Sequence, residues 1–592
     1  MIHIDYPYID DDEREIIESL NRGEWSPVSD DEYVRIVTML KEAARNTLGL
    51  PPEENPRIPP QRRPLSLAEL IAELPADTTE AMQHLDDEER DIIEAYWRGE
   101  AVTASEGKLC EIVARLLMAA ENSLAAATTT IPRSLFPTSH TPTNGSQKMP
   151  TILEQYIANH AGSAERYRDA VGIFPGGVTH DNRYAEPFPL YITHGQGPRK
   201  WDVDGNEYID YVSGHGALLL GHSHPAVADA VSEQIRRGTH LGACTDEELR
   251  WARAIMNLMP AVERVRFHSS GTEATLMAMR LARAYTGRNK VIKLQDHFHG
   301  WHDYAMAGSD RPAPGIPAES WGSMIIVPAG NLDAVQQAME RDTDIAAIIL
   351  EPTGAHYGQL PFNVPRYLAG LRQLCDQHGV VLIFDEVVTG FRASPGGAQV
   401  RYGITPDLTT MAKIVAGALP GGAVGGKADI VDMIAQRGDP EWDNTERVYH
   451  PGTFNGNPLS AVAGATCLEL IAAEPLNEHA DAMAARLKAG LNEVFTRMEV
   501  GGHAYGIASM IHFTLAEGDF DNEFGPEVDR QIKRAAATPA VTGIKRGLQN
   551  HGIDIMGRDA FLVSATHSEA DIDSTLAAFE ATLAEVRAEG LV

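Results

Sequence analysis

The sequence predicts an α/β fold, a mostly parallel central sheet with helices on both faces, preceded by an all-α repeat module. Two observations predict it. From residue 151 onward, short apolar runs alternate with helical patterns: "RVRFHSS", "NKVIKLQ", "SMIIVPA", "IAAIILEP" and "GVVLIFDE". Strands that are apolar along their whole length are buried on both faces, the condition of a parallel sheet between two helical layers. In front of them, "DEREIIESLNRGEW" (residues 12–25) reappears as "EERDIIEAYWRGEA" (residues 88–101). The relation continues: Ile36, Val37, Leu40, Ala43, Ala44 and Leu48 map onto Ile112, Val113, Leu116, Ala119, Ala120 and Leu124. These apolar positions recur at helical spacing, so each copy reads as two short amphipathic helices around an Arg-Gly-Glu turn.

The duplicated module occupies residues 1–125, with repeats at about 9–50 and 85–125. A proline-rich stretch, "PPEENPRIPPQRRPL", joins the copies and is expected to stay extended. The module is acidic, which disfavours a DNA-binding role and leaves packing or self-association. Residues 126–150, rich in Thr, Ser and Pro, read as a linker.

Bulk properties narrow the function. A chain of 592 residues is too long for one ordinary core. Hydrophobic content of 43% and 22% charge are those of a globular protein, and no run of about 18 apolar residues suggests a membrane span. The formal net charge of −33 makes nucleic acid an unexpected partner, since a phosphate backbone would be repelled. It does not bear on one small phosphate held locally. The acidic start lacks the features of a signal peptide. Four cysteines without CxxC spacing suit a reducing cytoplasm, the expected location.

In "VRFHSSGTEATLMAMRLARAYTG" a strand ends at His268 and a turn leads into a helix whose apolar face is Leu276, Met279 and Leu281. Glycine lets the turn approach a ligand, and the first N–H groups of a helix favour an anion. Ser270, Gly271 and Thr272 therefore form a candidate phosphate cradle, although the same residues also suit a plain N-cap. The run "GVVLIFDEVVTGFR" carries an apolar strand straight into Asp385-Glu386. A carboxylate there is costly to bury unless it meets a cation, either a ligand's heteroaromatic nitrogen or Arg392; a helix cap is the third reading. Finally, "DLTTMAKIVAGALPGGAVGG" sets Lys413 alone among apolar and glycine residues. Each feature has an ordinary structural reading. Together, in this order, they fit pyridoxal 5′-phosphate (PLP), which needs an anion site, a partner for its pyridinium nitrogen and a lysine for its aldehyde.

Residues 151–592 resemble a class III, fold-type I PLP-dependent aminotransferase, in the glutamate-1-semialdehyde 2,1-aminomutase-like branch. The matching stretches include "PGGV", "WDVDGNEYIDY", "LGHSHPAV", "SSGTEAT", "DEVVTGFR", "GTFNGNPLS" and "ATHSEADID". The resemblance implies an N-terminal segment at 151–225, a large PLP-binding domain at 226–455 and a small α+β C-terminal domain at 456–592. It implies Lys413 as the catalytic Schiff-base lysine and proton carrier, with Asp385 on the pyridine nitrogen. Val387 and Phe298 would flank the ring, with His299 on the cofactor side, and His356 would take an asparagine's place at the ring oxygen. Ser270, Gly271 and Thr272 would bind the phosphate, and Thr453 would reach it from the other subunit of a homodimer. A higher oligomer through the N-terminal module is a further expectation. Arg183 would meet a substrate carboxylate. No metal is expected: the histidines of "DHFHGWH", His297, His299 and His302, read as strand-end loop residues, and those of "GHSHP", His222 and His224, as a helix start.

The chain departs from the aminomutase pattern where substrate would lie. "PGGVTHDNR" puts His180 in place of a small serine, and "SGHGA" puts His215 in place of a tryptophan. These departures favour a transaminase that moves an amino group from an amine or amino acid, such as a β-amino acid, to an oxo acceptor. The aminomutase is the alternative, and a PLP-binding sensor without turnover the third reading.

Overall fold

All five apolar runs form strands: β4 (Arg264–His268), β5 (Lys290–Leu294), β6 (Met324–Val327), β7 (Ile345–Leu350) and β8 (Val381–Asp385). They are joined by β9 (Leu408–Ala412) and β10 (Gly422–Gly426) in a seven-stranded sheet of order β4-β10-β9-β8-β7-β5-β6. The pairs among β5 to β9 are parallel, and β10 runs antiparallel to both its neighbours. A computed structural model describes residues 150–592, apart from 310–312, 517, 519 and 521–524. The described residues lie in one unit, Thr143–Val592. The duplicated module at 1–125 and linker residues 126–149 lie outside them.

Alternation along β7 explains the layering. Ala347 and Ile349 join a core with Met277, Met279 and Leu281 of the helix Gly271–Thr286. Ile348 and Leu350 face a second core with Val335 of the helix Leu332–Arg341 and Leu368 and Leu371 of the helix Val364–His378. Side chains that alternate between two apolar layers need helices on both faces, each fully buried Leu or Ile contributing about 2 kcal/mol. Leu276, expected on the buried face, is only half-buried; Met277 and Ala278 occupy that face instead.

Strand β10, "GAVGG", has too little side chain to read as a strand. Its glycines have a steric cause: a Cβ on Gly422 would lie 2.5 Å from the Ser270 carbonyl oxygen. The backbone ahead of the helix Gly271–Thr286 is thereby pressed against the sheet.

Two smaller sheets complete the fold. β1 (Ile192–Gln196), β2 (Arg199–Asp202), β3 (Glu207–Tyr211) and β13 (Ile553–Ile555) form one, with β13 parallel to β3. β11 (His503–Ile507), β12 (Met510–Thr514) and β14 (Ala560–Leu562) form an antiparallel sheet. Ile152, Ile209 and Tyr211 share one core with Leu487, Ile544, Leu548, Phe579 and Leu583, so both ends of the described chain build the same layer. Among the described residues no single helix is long and apolar enough to cross a membrane.

Candidate active site

The central strands carry two groups to one edge of the sheet. β8 ends on Asp385 and β9 on Ala412, with Asp385 paired to Thr410 in register. Lys413 follows at once, with φ +57°, a left-handed conformation that turns the chain away from the strand direction. Asp385 is 4% exposed. Its Oδ1 accepts from the Val387 N–H at 3.0 Å and the Thr410 hydroxyl at 3.3 Å. Burial pushes its carboxyl up to about 6, opposed by the Val387 bond, Lys413 and Thr410. Burial likewise lowers the Lys413 ammonium from its ordinary range, against the pull of Asp385 and Glu351, while Arg392 adds to the lowering.

The helix Gly271–Thr286 opens beside this pair. Ser270 is its N-cap, its Oγ accepting from the Glu273 N–H at 3.2 Å, so the plain-cap reading of that side chain is realised. Gly271 lies against the strand ends: a Cβ there would sit 3.0 and 3.1 Å from the Val387 methyls and 3.3 Å from Ala412 Cβ. Gly300, at φ +94°, packs so closely on Thr272 that a Cβ would come within 2.5 Å of its Oγ1. The loop with Phe298 and His299 therefore rests on the first turn of the helix.

His299 and Asp385 meet directly, Nδ1 to Oδ2 at 2.7 Å. Burial, and then Lys293, holds His299 well below its ordinary pKa. The neutral ring with Nδ1–H donating leaves Nε2 as an acceptor, and Nε2 is buried without a partner. His297 accepts from the Glu351 N–H at 2.9 Å through Nδ1, and His302 meets the Thr275 hydroxyl at 3.3 Å. The three histidines of "DHFHGWH" thus have three different neighbours.

Glu351, not singled out from the sequence, organises two of the loops. Its Oε1 accepts from the Phe298 N–H at 2.9 Å and the His356 N–H at 3.0 Å, and its Oε2 from the Tyr357 N–H at 2.8 Å. His356 and Tyr357 hold φ of +52° and +51°, strain that these bonds help to sustain. The signal was present: Glu351 directly follows an apolar strand, much as Asp385 ends one.

A second left-handed turn, Ser213–Gly216, carries His215 at φ +57°. Asp210 anchors it by accepting from the Val212 and Ser213 N–H groups at 3.0 and 3.2 Å. Lys200 and His222 in turn bond Asp210 at 2.6 and 2.7 Å. His215 stacks on His180, ring centres 5.0 Å apart and 17° from parallel. Burial brings His215 down to about 4, helped by His180, Arg183 and Lys413. A Cβ on Gly216 would lie 3.8 Å from Lys413 Cδ, so this turn adjoins the lysine. Arg183 is exposed, with one bond from Nη1 to Thr179 Oγ1 at 2.9 Å. Thr453 is exposed too, in a loop whose Tyr449 and Phe454 are 68% and 58% exposed. His224 holds the N-cap position of the helix Pro225–Arg237, as its place before Pro225 suggests, without a side-chain capping bond.

One sequence alternative is corrected. Arg392 pairs with neither Asp385 nor Glu386; Glu386 instead caps a turn, accepting from the Ala398 and Gln399 N–H groups at 2.7 and 3.0 Å.

A family model, "Aminotransferase class-III", matches residues 180–524, which contain Lys413, Asp385 and the loops just described. The chain belongs to the class III aminotransferase family. As a class III aminotransferase it is a PLP-dependent enzyme of fold type I. A glutamate-1-semialdehyde 2,1-aminomutase from Syntrophobacter fumaroxidans is 41% identical over 426 residues, 70% of this chain and 95% of that protein. Among solved structures, a transaminase with PLP bound is 29% identical, with a TM-score of 0.66 over 73% of this chain and 99% of that one. A β-phenylalanine aminotransferase from Variovorax paradoxus is 30% identical, with a TM-score of 0.64 over 74% and 97%.

Proposed function

We propose that this class III aminotransferase moves an amino group within one small carboxylate-bearing substrate, as a glutamate-1-semialdehyde 2,1-aminomutase does. The observation that carries this reading is the 41% identity to such an aminomutase across 95% of its length. It reverses the order in which the sequence departures alone rank the two reactions. A transaminase acting on a β-amino acid or related amine is the second reading, favoured by the His180–His215 stack where the aminomutase pattern has serine and tryptophan.

Geometry supports a place for the cofactor. Gly271 leaves open the space that a Cβ would take against Val387, and His299 Nε2 is a buried acceptor in need of a donor. When bound, PLP supplies an aldehyde that takes the amine covalently and a ring that draws electrons from the adjacent carbon. Asp385 would hold the ring nitrogen's proton, with His299 fixing the carboxylate. The N–H groups at Gly271 and Thr272, with Ser270, would take the phosphate. Val387 and Phe298 would flank the ring, and His356 would donate to its oxygen. Lys413 Nζ would carry the proton between substrate carbon and cofactor, which its lowered proton affinity suits. Arg183, with donors to spare, would fix the substrate carboxylate. His180 and the uncharged His215 would wall the remainder of the pocket. Thr453 would complete the phosphate site of a second copy, making a homodimer the working unit.

The test mixes holoenzyme with single amines and no oxo acceptor, then quantifies products per site by mass spectrometry. Glutamate 1-semialdehyde converted to 5-aminolevulinate over many turnovers is the expected result. One equivalent of oxo product from a β-amino acid, with the semialdehyde untouched, would replace the aminomutase by the transaminase.

A further inference from the structure

Arg392 is fully buried, yet its side chain meets carbonyl and hydroxyl oxygens rather than a carboxylate. A buried cation with no carboxylate bonded to it is costly, so its retention asks for a cause; Asp481, whose charge steadies it from a distance, is itself paired with Arg401 at 3.4 Å. Its Nη1 donates to Ser509 Oγ at 3.0 Å and to the Val563 carbonyl at 2.9 Å, and Nη2 donates to the Gly216 carbonyl at 3.2 Å. Three separate segments meet there. Ser509 lies between β11 and β12, Val563 follows β14, and Gly216 closes the left-handed turn that carries His215. The arginine backbone is itself fastened, because Asn477 Nδ2 donates to the Phe391 and Arg392 carbonyls at 2.9 and 3.1 Å. A planar fork can reach three acceptors at fixed angles; a lysine ammonium cannot hold the same set.

We infer that Arg392 is a positioning residue for the amino-group chemistry: it clamps the Gly216 carbonyl, and with it the His215 turn, onto the C-terminal segments at Ser509 and Val563, and stands near Lys413 as a buried cation with no carboxylate bonded to it. The inference rests on the reading of Lys413 as the cofactor-binding amine. Two consequences follow from one side chain. The clamp fixes the turn whose Gly216 adjoins Lys413 Cδ, and the charge disfavours a proton on Lys413. Glu386, which by sequence is a natural counter-ion, is occupied by Ala398, Gln399 and Thr389 and leaves the cation unpaired.

The experiment titrates the cofactor absorbance of holoenzyme against pH and compares midpoints. In Arg392→Met the midpoint should rise by about one pH unit, the size expected for losing a unit charge several ångströms away. Ser509→Asp should move it the same way by placing a carboxylate on the guanidinium. Arg392→Lys keeps the charge, so its midpoint should stay put while KM for the carboxylate substrate rises. An unmoved midpoint in folded Arg392→Met, or in Ser509→Asp should the first not fold, overturns the charge role. Wild-type KM in Arg392→Lys overturns the clamp. A wild-type protein that takes up no cofactor would sink the reading of Lys413 and this inference together, whereas a normal wild-type titration with unmoved variants sinks the inference alone.

Discussion

The cofactor floor and the substrate wall are built differently. On the floor, Asp385, His299 and Glu351 are buried, Gly271 and Thr272 at the helix start are half-buried, and short bonds knit strand ends to loops. On the wall, Arg183 and His180 are exposed, and Arg183 has a single bond to Thr179. The left-handed turns sit between the two: His356 is tied to the floor by Glu351, His215 to the sheet below by Asp210. Burial imposes strict demands on floor residues, because each polar group there must have a partner. The wall is free to vary, which is where a family sharing one cofactor changes its substrate.

The comparison can be broken most severely at its centre. Lys413→Ala should lower turnover by about ten-thousandfold or more while leaving the melting temperature within a few degrees, since the loss is chemical rather than structural. Steady-state rates and thermal melts on one preparation check it; a variant with more than about a tenth of wild-type activity would remove Lys413 from its role. Next comes Glu351→Ala, a floor residue that touches no reacting atom. Three backbone N–H groups lose their acceptor, so stability should fall by about 3 kcal/mol and cofactor should dissociate faster. Chemical denaturation and dialysis against buffer measure both, and Glu351→Gln should lie between, since one oxygen acceptor survives.

Much of this floor was legible in the sequence. Apolar runs ending in a carboxylate, a glycine between Ser270 and Thr272, and one lysine in a small-residue turn all report burial next to a ligand. Five of the seven central strands were legible for the same reason. β9 and β10 were not: "LTTMA" is too mixed, and the glycines of β10 answer to close backbone approach by Ser270, which no periodicity records. Glu351 escaped because its partners are backbone N–H groups, two of them in a left-handed turn five and six residues on, which no side-chain pattern records. Arg392 misled, since its charge suggested a carboxylate partner and the fold supplied carbonyls. The wall residues were nameable only against a family pattern, Arg183 as a match and His180 and His215 as departures, because side chains at turns carry no spacing signal.

The last effect belongs to the wall and is confined to acid pH. His215 has a folded pKa of about 4 against 6.5 when free, so its neutral form favours the folded state above pH 6.5 and that stability is lost as pH falls toward 4. His215→Phe cannot take up the proton. Relative to wild type, the variant should therefore gain up to about 3 kcal/mol between pH 6.5 and 4, read from denaturation curves at several pH values. A constant difference across that range would mean that His215 titrates as an open, solvated histidine.

The central claim is that the half-buried Lys413 amine just after β9 is where the cofactor attaches. Borohydride reduction of holoenzyme, followed by digestion and mass spectrometry of every lysine-containing peptide, tests it most directly. The phosphopyridoxyl group should appear on the peptide bearing Lys413. Finding it on Lys200, Lys293 or Lys545 instead, or on no lysine, would contradict the account.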